Sequence, residues 1–333
     1  MTKTHSVTFE DVQRASERIA PLIHKTPVMT CSTLDGFSQT EASPDIRLFF
    51  KCEMFQKTGA FKFRGASNAV LQLSDEMVKN GVVTHSSGNH AQALALAAKS
   101  RNIPAYIVMP STCPQVKKDA VKGYGAIITE CEPNQQSREL AAQSIIDKLG
   151  ATLVHPYNHP HIIAGQGTCM LEFYQQAEEM NVTLDALVLP IGGGGFISGC
   201  SIAAKALNPN VRIFGAEPAN AKDAYLSFES KELIPNAKPP TSIAEGLLAN
   251  LGPYAFPVVI DHLEKVFIVT EEQISDAMKM VWERMKLIIE GSAAVAVAVV
   301  LYNEEFRKLQ GIRNIGIVLE GGNADLSSLP WLK

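Results

Sequence analysis

The chain has 333 residues, 46% of them hydrophobic, with 30 Lys and Arg against 34 Asp and Glu for a formal net charge of −4. That length and apolar content exclude a disordered chain and predict two lobes rather than one core. The acidic balance excludes the basic footprint of a nucleic-acid binder, and no apolar run reaches membrane-spanning length. The polar start Met1-Thr2-Lys3-Thr4-His5 lacks a signal peptide's apolar core. The six cysteines are scattered, with no Cys-x-x-Cys pair, as expected of buried thiols in a cytoplasmic protein.

Short apolar runs alternate with helix-like runs along the chain. Strands are predicted at 47–51, 82–84, 105–109, 126–129, 186–191, 212–217, 266–269 and 315–319. Helices are predicted at 91–99, 137–149, 197–207 and 271–289, with a buried one at 293–302. This alternation predicts an α/β fold of parallel sheets covered by helices. Residues 75–158 carry their own alternation, so they read as a small mobile domain inserted into a larger one formed by 1–74 and 159–333.

Three segments carry chemistry. Lys62 lies between Phe61 and Phe63. A lysine stripped of water has a lowered pKa and a free lone pair, as an imine-forming amine requires. Alone, the segment better suits two core phenylalanines with a snorkelling lysine. Ser86-Ser87-Gly88-Asn89-His90 opens a helical run, where Ser87 reads as an N-cap or as a hydroxyl in the positive potential of the helix start. Gly192-Gly193-Gly194-Gly195 follows an apolar strand and precedes a helix, a pattern that cradles a phosphate. Gly192-Gly193-Gly194 also meets part of a dinucleotide fingerprint, with Glu217 near the spacing of its acidic residue, so glycine alone does not decide. A nucleotide-binding redox or sensor protein is therefore the reading from a different class.

Together and in this order, the three segments resemble the serine racemase and serine/threonine dehydratase family of pyridoxal 5′-phosphate enzymes, with the two-lobed tryptophan-synthase-β-like fold. The resemblance runs from about Thr26 to Asp325. It implies that Lys62 holds the cofactor, that Gly192, Gly193, Gly194 and Gly195 cradle its phosphate, that Asn89 bonds the ring hydroxyl, and that Phe61 and Gly246 lie against the ring. It implies Lys62 and Ser87 as catalytic bases on opposite faces of the substrate, a small hydroxy amino acid. Ser86, Ser87, Asn89, His90 and Arg138 would contact that substrate; Arg138 alone reads equally as a surface ion-pairing arginine. Racemisation and elimination to an oxo acid and ammonia would share one site, and a dehydratase of threonine, serine or 3-hydroxyaspartate is the alternative.

Glu320, in Leu319-Glu320-Gly321-Gly322-Asn323, departs from the family, which usually has serine facing the pyridine nitrogen there. A carboxylate would favour a protonated nitrogen; equally, Glu320 could turn away. Leu247-Leu248-Ala249 also departs, since racemases of this family often carry a hydroxyl beyond Gly246. Glu217 and Asp223 flank a turn that reads as a solvated acidic loop or a hard-cation site. The resemblance implies Mg²⁺ (or Ca²⁺ or Mn²⁺) on Glu217, the Ala221 carbonyl and Asp223. It further implies a homodimer, with ATP near Lys117, Tyr124, Lys286 and Asn323.

Overall fold

The structure is a computed structural model that describes residues 5–332; Met1–Thr4, on which the expected absence of a signal peptide partly rests, and Lys333 lie outside the described residues. Ten strands form two sheets among the described residues. In chain order they are β1 Val28–Thr30, β2 Arg47–Cys52, β3 Val82–His85, β4 Ala105–Pro110, β5 Ile127–Cys131, β6 Thr152–Leu153, β7 Ala186–Pro190, β8 Arg212–Pro218, β9 Lys265–Val269 and β10 Asn314–Leu319. The larger sheet has the order β1-β2-β10-β7-β8-β9 and the smaller the order β5-β4-β3-β6. All pairs are parallel except β1 with β2. Every residue of β7 and all but the first of β2 and β10 are buried, because helices cover both faces.

The expected strands all form, within a residue or two at each end. β1 and β6 were not expected: β1 is a short, half-exposed edge and β6 has two residues, so neither shows an apolar run. The helix expected over 271–289 stops at Met285, because Lys286 takes a left-handed conformation at φ 59°. The Trp282 indole N–H then donates to the Ile289 carbonyl at 2.9 Å, fixing the reversed chain. The helix Gly291–Tyr302 is buried from Gly291 to Leu301 under the large sheet. No helix among the described residues is long and apolar enough to cross a membrane.

Strand order decides where chemistry gathers. β10 lies between β2 and β7 and parallel to both, with Ile317 opposite Phe50 and Val188. The carboxyl ends of all three therefore open on one edge, the usual ligand position in such sheets. Those ends lead to the Lys62 loop, to Glu320 and to the glycine turn.

The long helix Pro160–Glu179 pins two of these parts together. It packs on the helix Lys62–Gln72 through Gly165, where an added Cβ would stand 2.6 Å from the Gly65 Cα. It packs on the helix Gly195–Leu207 through Gly199, where a Cβ would lie 2.1 Å from the Ile163 carbonyl oxygen. A buried polar cluster adds to this. The Arg64 guanidinium donates to both oxygens of Glu53, each at 2.7 Å, and to both of Glu172 at 2.8 and 2.9 Å. Lys51 joins through Glu172 and the Thr26 carbonyl.

Candidate active site

Lys62 begins its helix just beyond a backbone clasp. Ala60 and Gly321 form an antiparallel bridge, the Phe61 N–H donates to the Glu320 carbonyl at 2.9 Å, and the Gly322 N–H donates to Gly59. Phe61 and Phe63 are buried, and the Phe61 ring packs on Phe196 with centroids 4.4 Å apart. Lys62 does not snorkel outward. Its Nζ donates to the Pro156 carbonyl at 3.1 Å and shares a cavity with the glycine turn, Gly246 and Glu320. Burial lowers its pKa to about 8, against the opposing pull of Glu320 and Glu290. About a tenth of its population is therefore neutral and nucleophilic at pH 7, far more than for an ordinary lysine of pKa about 10.4.

The glycine turn is packed on both sides. A Cβ on Gly193 would stand 2.3 Å from the Tyr157 ring, and one on Gly192 would stand 2.9 Å from the Leu247 Cα. Gly194 caps the helix Gly195–Leu207 at φ 80°, a left-handed position that suits glycine, and brings no side chain to the helix start. The first N–H groups of a helix have no intrahelical partner, so this turn presents an anion site. The turn, the enclosed amine and the cavity between them fit a phosphorylated aldehyde cofactor.

The dinucleotide reading fails at Glu217. That side chain is buried, and its two oxygens accept from the Ala224 and Tyr225 N–H groups at 3.0 and 2.8 Å, so it does not face a ribose. Asp223 is also buried, accepting from the Asn236 amide and the Leu251 N–H, each at 2.7 Å. The solvated-loop reading fails with it. Burial, and then the charge of Asp223, raise Glu217 well above the usual carboxylate range, and burial raises Asp223. A hard cation would offset that repulsion, and each carboxylate oxygen keeps a second lone pair for it. Ala221 is buried beside them.

Asn89 and His90 do not line the cavity; Asn89 is hydrogen-bonded to Glu290, and the Lys62 charge bears on His90. The Asn89 amide donates to Glu290 Oε1 at 2.8 Å and accepts from the Asn323 amide at 2.8 Å. His90 Nε2 donates to the Val154 carbonyl at 3.3 Å, and its buried Nδ1 has no partner. Burial first, then the Lys62 charge, lowers His90 to about 3, so it is neutral. The N-cap of the helix Asn89–Ser100 is Gly88, with no side-chain cap, which removes the ordinary capping role for Ser87. Ser86 Oγ accepts from the Gly88 N–H at 3.4 Å. Neither serine lines the cavity with Lys62.

Arg138 is half-buried, its Nε unpartnered, and its charge bears on His85 at the end of β3. Lys117 pairs with Glu245; Tyr124 packs against the small-sheet core; Lys286 bonds its own helix end; Asn323 also donates to the Thr58 carbonyl. Gly246 accepts no side chain, since a Cβ would meet Ser292 Oγ at 2.8 Å.

Two contributors were missed from sequence. Tyr157 covers the glycine turn, set by His155 Nδ1, which accepts from the Tyr157 and Asn158 N–H groups at 3.3 and 2.9 Å. Glu290 links Asn89 to the clasp, and its N–H donates to the Gly321 carbonyl at 3.0 Å. An acid in the apolar run Leu287-Ile288-Ile289-Glu290 was the available signal for the second.

Comparison with known proteins gives the same picture. The family described as pyridoxal-phosphate dependent enzyme matches residues 19–321. Serine racemase of Rattus norvegicus is 47% identical, covering 100% of this chain and 98% of its own length. The β-hydroxyaspartate dehydratase of Paracoccus denitrificans is 45% identical over 97% of this chain and 98% of its own. The solved structure of maize serine racemase superposes with a TM-score of 0.92 at 44% identity, covering 98% and 97% of the two chains.

Proposed function

This chain belongs to the family of pyridoxal-phosphate dependent enzymes, and on that premise we propose that it racemises serine and also eliminates water from it to give pyruvate and ammonia. One observation carries the reading: the Lys62 amine, its pKa lowered by burial, opens into the cavity floored by the four-glycine turn. Pyridoxal phosphate, when bound, supplies a carbonyl for an amine and an electron-withdrawing ring that stabilises negative charge at the substrate Cα.

The chain supplies the rest. Gly192, Gly193, Gly194 and Gly195, at the helix start, hold the phosphate, while Phe61, Asn89 and Gly246 fix the ring. Lys62 Nζ removes the Cα proton of the L enantiomer, and the Ser87 hydroxyl delivers one to the opposite face. Elimination departs from the same Cα charge: the β-hydroxyl leaves, and hydrolysis releases the oxo acid. Ser86, Asn89 and His90, with Arg138, receive the substrate carboxylate. The neutral His90, with its unpartnered Nδ1, adds no charge to that pocket.

A dehydratase acting on 3-hydroxyaspartate is the second reading. Leu247-Leu248-Ala249, beyond Gly246, offers no side-chain hydroxyl for a serine β-hydroxyl, and a relative with that printed activity is 45% identical. The proposal includes a divalent cation on Glu217, Ala221 and Asp223, supported by two buried carboxylates, Glu217 raised by burial and then by Asp223, and Asp223 raised by burial. It also includes ATP at Lys117, Tyr124, Lys286 and Asn323 of a homodimer, which rests on the resemblance alone, and a cytoplasmic location, supported by six free thiols.

The test is reconstitution with pyridoxal phosphate, borohydride reduction and peptide mapping. A yellow protein labelled at Lys62 is expected; a colourless one, or a label elsewhere, refutes the cofactor reading. L-serine, L-threonine and 3-hydroxyaspartate are then supplied, and both enantiomers and oxo acids are measured. D-serine as a product supports racemisation, and oxo acid from 3-hydroxyaspartate alone supports the second reading.

A further inference from the structure

We propose that Glu320 is the acid that protonates the ring nitrogen of the bound cofactor, with Glu290 as the positioning residue that keeps the proton on Glu320. The inference rests on the cofactor reading above and deepens it.

The geometry begins with the clasp. The bridge between Ala60 and Gly321 and the bond from the Phe61 N–H to the Glu320 carbonyl fix residues 60–62 and 320–321 to each other. Glu320 therefore enters the cavity from the same clasp as Lys62, and both line it with the glycine turn. Glu320 is only 3% exposed, at the carboxyl end of the central strand β10.

The half-buried Glu290 carboxyl lies near enough for its charge to bear on Glu320, and the hydrogen bonds of the two carboxyls differ. Glu290 accepts from the Asn89 amide at 2.8 Å, and the backbone amide of Asn323 also faces it. Glu320 takes no hydrogen bond from a protein donor among the described residues. Burial raises Glu290 as well, with Asn89, Lys117 and the Asn323 amide opposing and Glu245 adding to it; donors favour the ionised form of a carboxyl, so of the two the charge settles on Glu290 and the proton on Glu320. The charged groups facing Glu320 are Glu290 and Lys62. Burial and then Glu290 raise Glu320 to about 8, with Lys62 opposing. The neutral carboxyl is thus present at physiological pH, aimed into the cavity and without a protein partner.

The transfer balances without another reactant. The proton leaves a Glu320 carboxyl oxygen for the ring nitrogen, and the resulting carboxylate pairs with the new N–H⁺. Glu290 stabilises that cation as it stabilised the acid. A protonated ring withdraws electrons more strongly, which eases proton loss at the substrate Cα for racemisation and elimination alike.

The experiment uses holoenzyme reconstituted with pyridoxal phosphate carrying ¹⁵N in the ring. The ¹⁵N chemical shift is followed with pH for the wild type, Glu320→Gln, Glu320→Ser and Glu290→Gln, with folding checked by circular dichroism. A wild-type shift in the pyridinium range at neutral pH that moves to the neutral-pyridine range in both Glu320 variants is expected. Glu290→Gln should retain the pyridinium signal at low pH but bind the proton about tenfold more weakly, lowering its midpoint by about one pH unit. A neutral ring in the wild type, or a pyridinium signal unchanged in a folded Glu320 variant, overturns the assignment of Glu320. An unmoved midpoint in Glu290→Gln overturns the role of Glu290. Failure of the wild type to bind cofactor at Lys62 is a separate result, which refutes the cofactor reading and this inference with it.

Discussion

Replacing Arg64 with methionine tests what holds the Lys62 helix in place. Arg64 is fully buried, two residues after Lys62, and is the shared cation of Glu53 and Glu172. Glu53 is completely enclosed, and its remaining close partner would be the Thr26 hydroxyl, which donates to it at 2.6 Å. Removing one partner of a buried pair leaves an uncompensated charge and costs about 3–5 kcal/mol. With an unfolding entropy of roughly 2 cal/mol/K per residue, a cooperative chain of this size converts that into a melting shift of about 4–7 °C. Glu172 is 15% exposed and also bonds Lys51, so the main loss falls on Glu53. Arg64→Met combined with Glu53→Gln should therefore be more stable than Arg64→Met alone. Urea unfolding followed by circular dichroism at fixed cofactor concentration measures both. Arg64→Met within about 1 kcal/mol of wild type, below the range for a broken buried pair, or a double variant no more stable than the single, refutes the argument. The pH response follows from the same pair. Burial alone would raise Glu53, but Arg64, Lys51 and Thr26 bring it below its ordinary 4.5. A depressed carboxyl stabilises the fold above its unfolded value, so this contribution is complete above pH 4.5 and is lost as the pH falls through the lower folded value.

Ser87→Ala should remove D-serine turnover while keeping much of L-serine elimination; equal loss for both enantiomers, measured by chiral chromatography and pyruvate release, contradicts the two-base scheme. Chelation should lower the melting temperature, with recovery on adding Mg²⁺, and indifference of the melting curve to chelator removes the cation from Glu217 and Asp223. The rate at which cofactor-free protein captures pyridoxal phosphate should rise as pH increases through about 8, where Lys62 loses its proton, rather than near 10.5. Stopped-flow absorbance reads this directly, and a rate still climbing steeply toward 10.5 would show an amine exposed to water.

The fold was legible where burial is two-sided. Ala186-Leu187-Val188-Leu189-Pro190 reads as a strand because helices cover both its faces, whereas half-exposed β1 left no such signature. The overrun at Lys286 has a local cause: the apolar residues Leu287, Ile288 and Ile289 continue the pattern, and a lysine gives no sign of a left-handed turn. Lys62 and the glycines, which line one cavity, could be picked out because each sits in a short motif with its own chemistry. Tyr157 and Glu290 could not, because they meet those motifs only through tertiary contacts from other loops. Arg64 was hidden for a similar reason, since a charge beside Phe63 looks like surface until its two acids are in place.

The central place of β10 has a consequence for how the protein is made. At roughly 5–20 residues per second a ribosome takes on the order of ten seconds or more to travel from β2 to β10. Through that interval the nascent chain carries β2 and β7 with inward edges unpaired, because the strand that joins them is the last of the ten described strands to be translated. The smaller sheet has no such wait: its four strands run consecutively in the chain and can close while synthesis continues. Exposed edges of apolar strands invite pairing with other chains. Loss of the final strand should therefore yield aggregates from the ribosome onward rather than a soluble enzyme of reduced turnover.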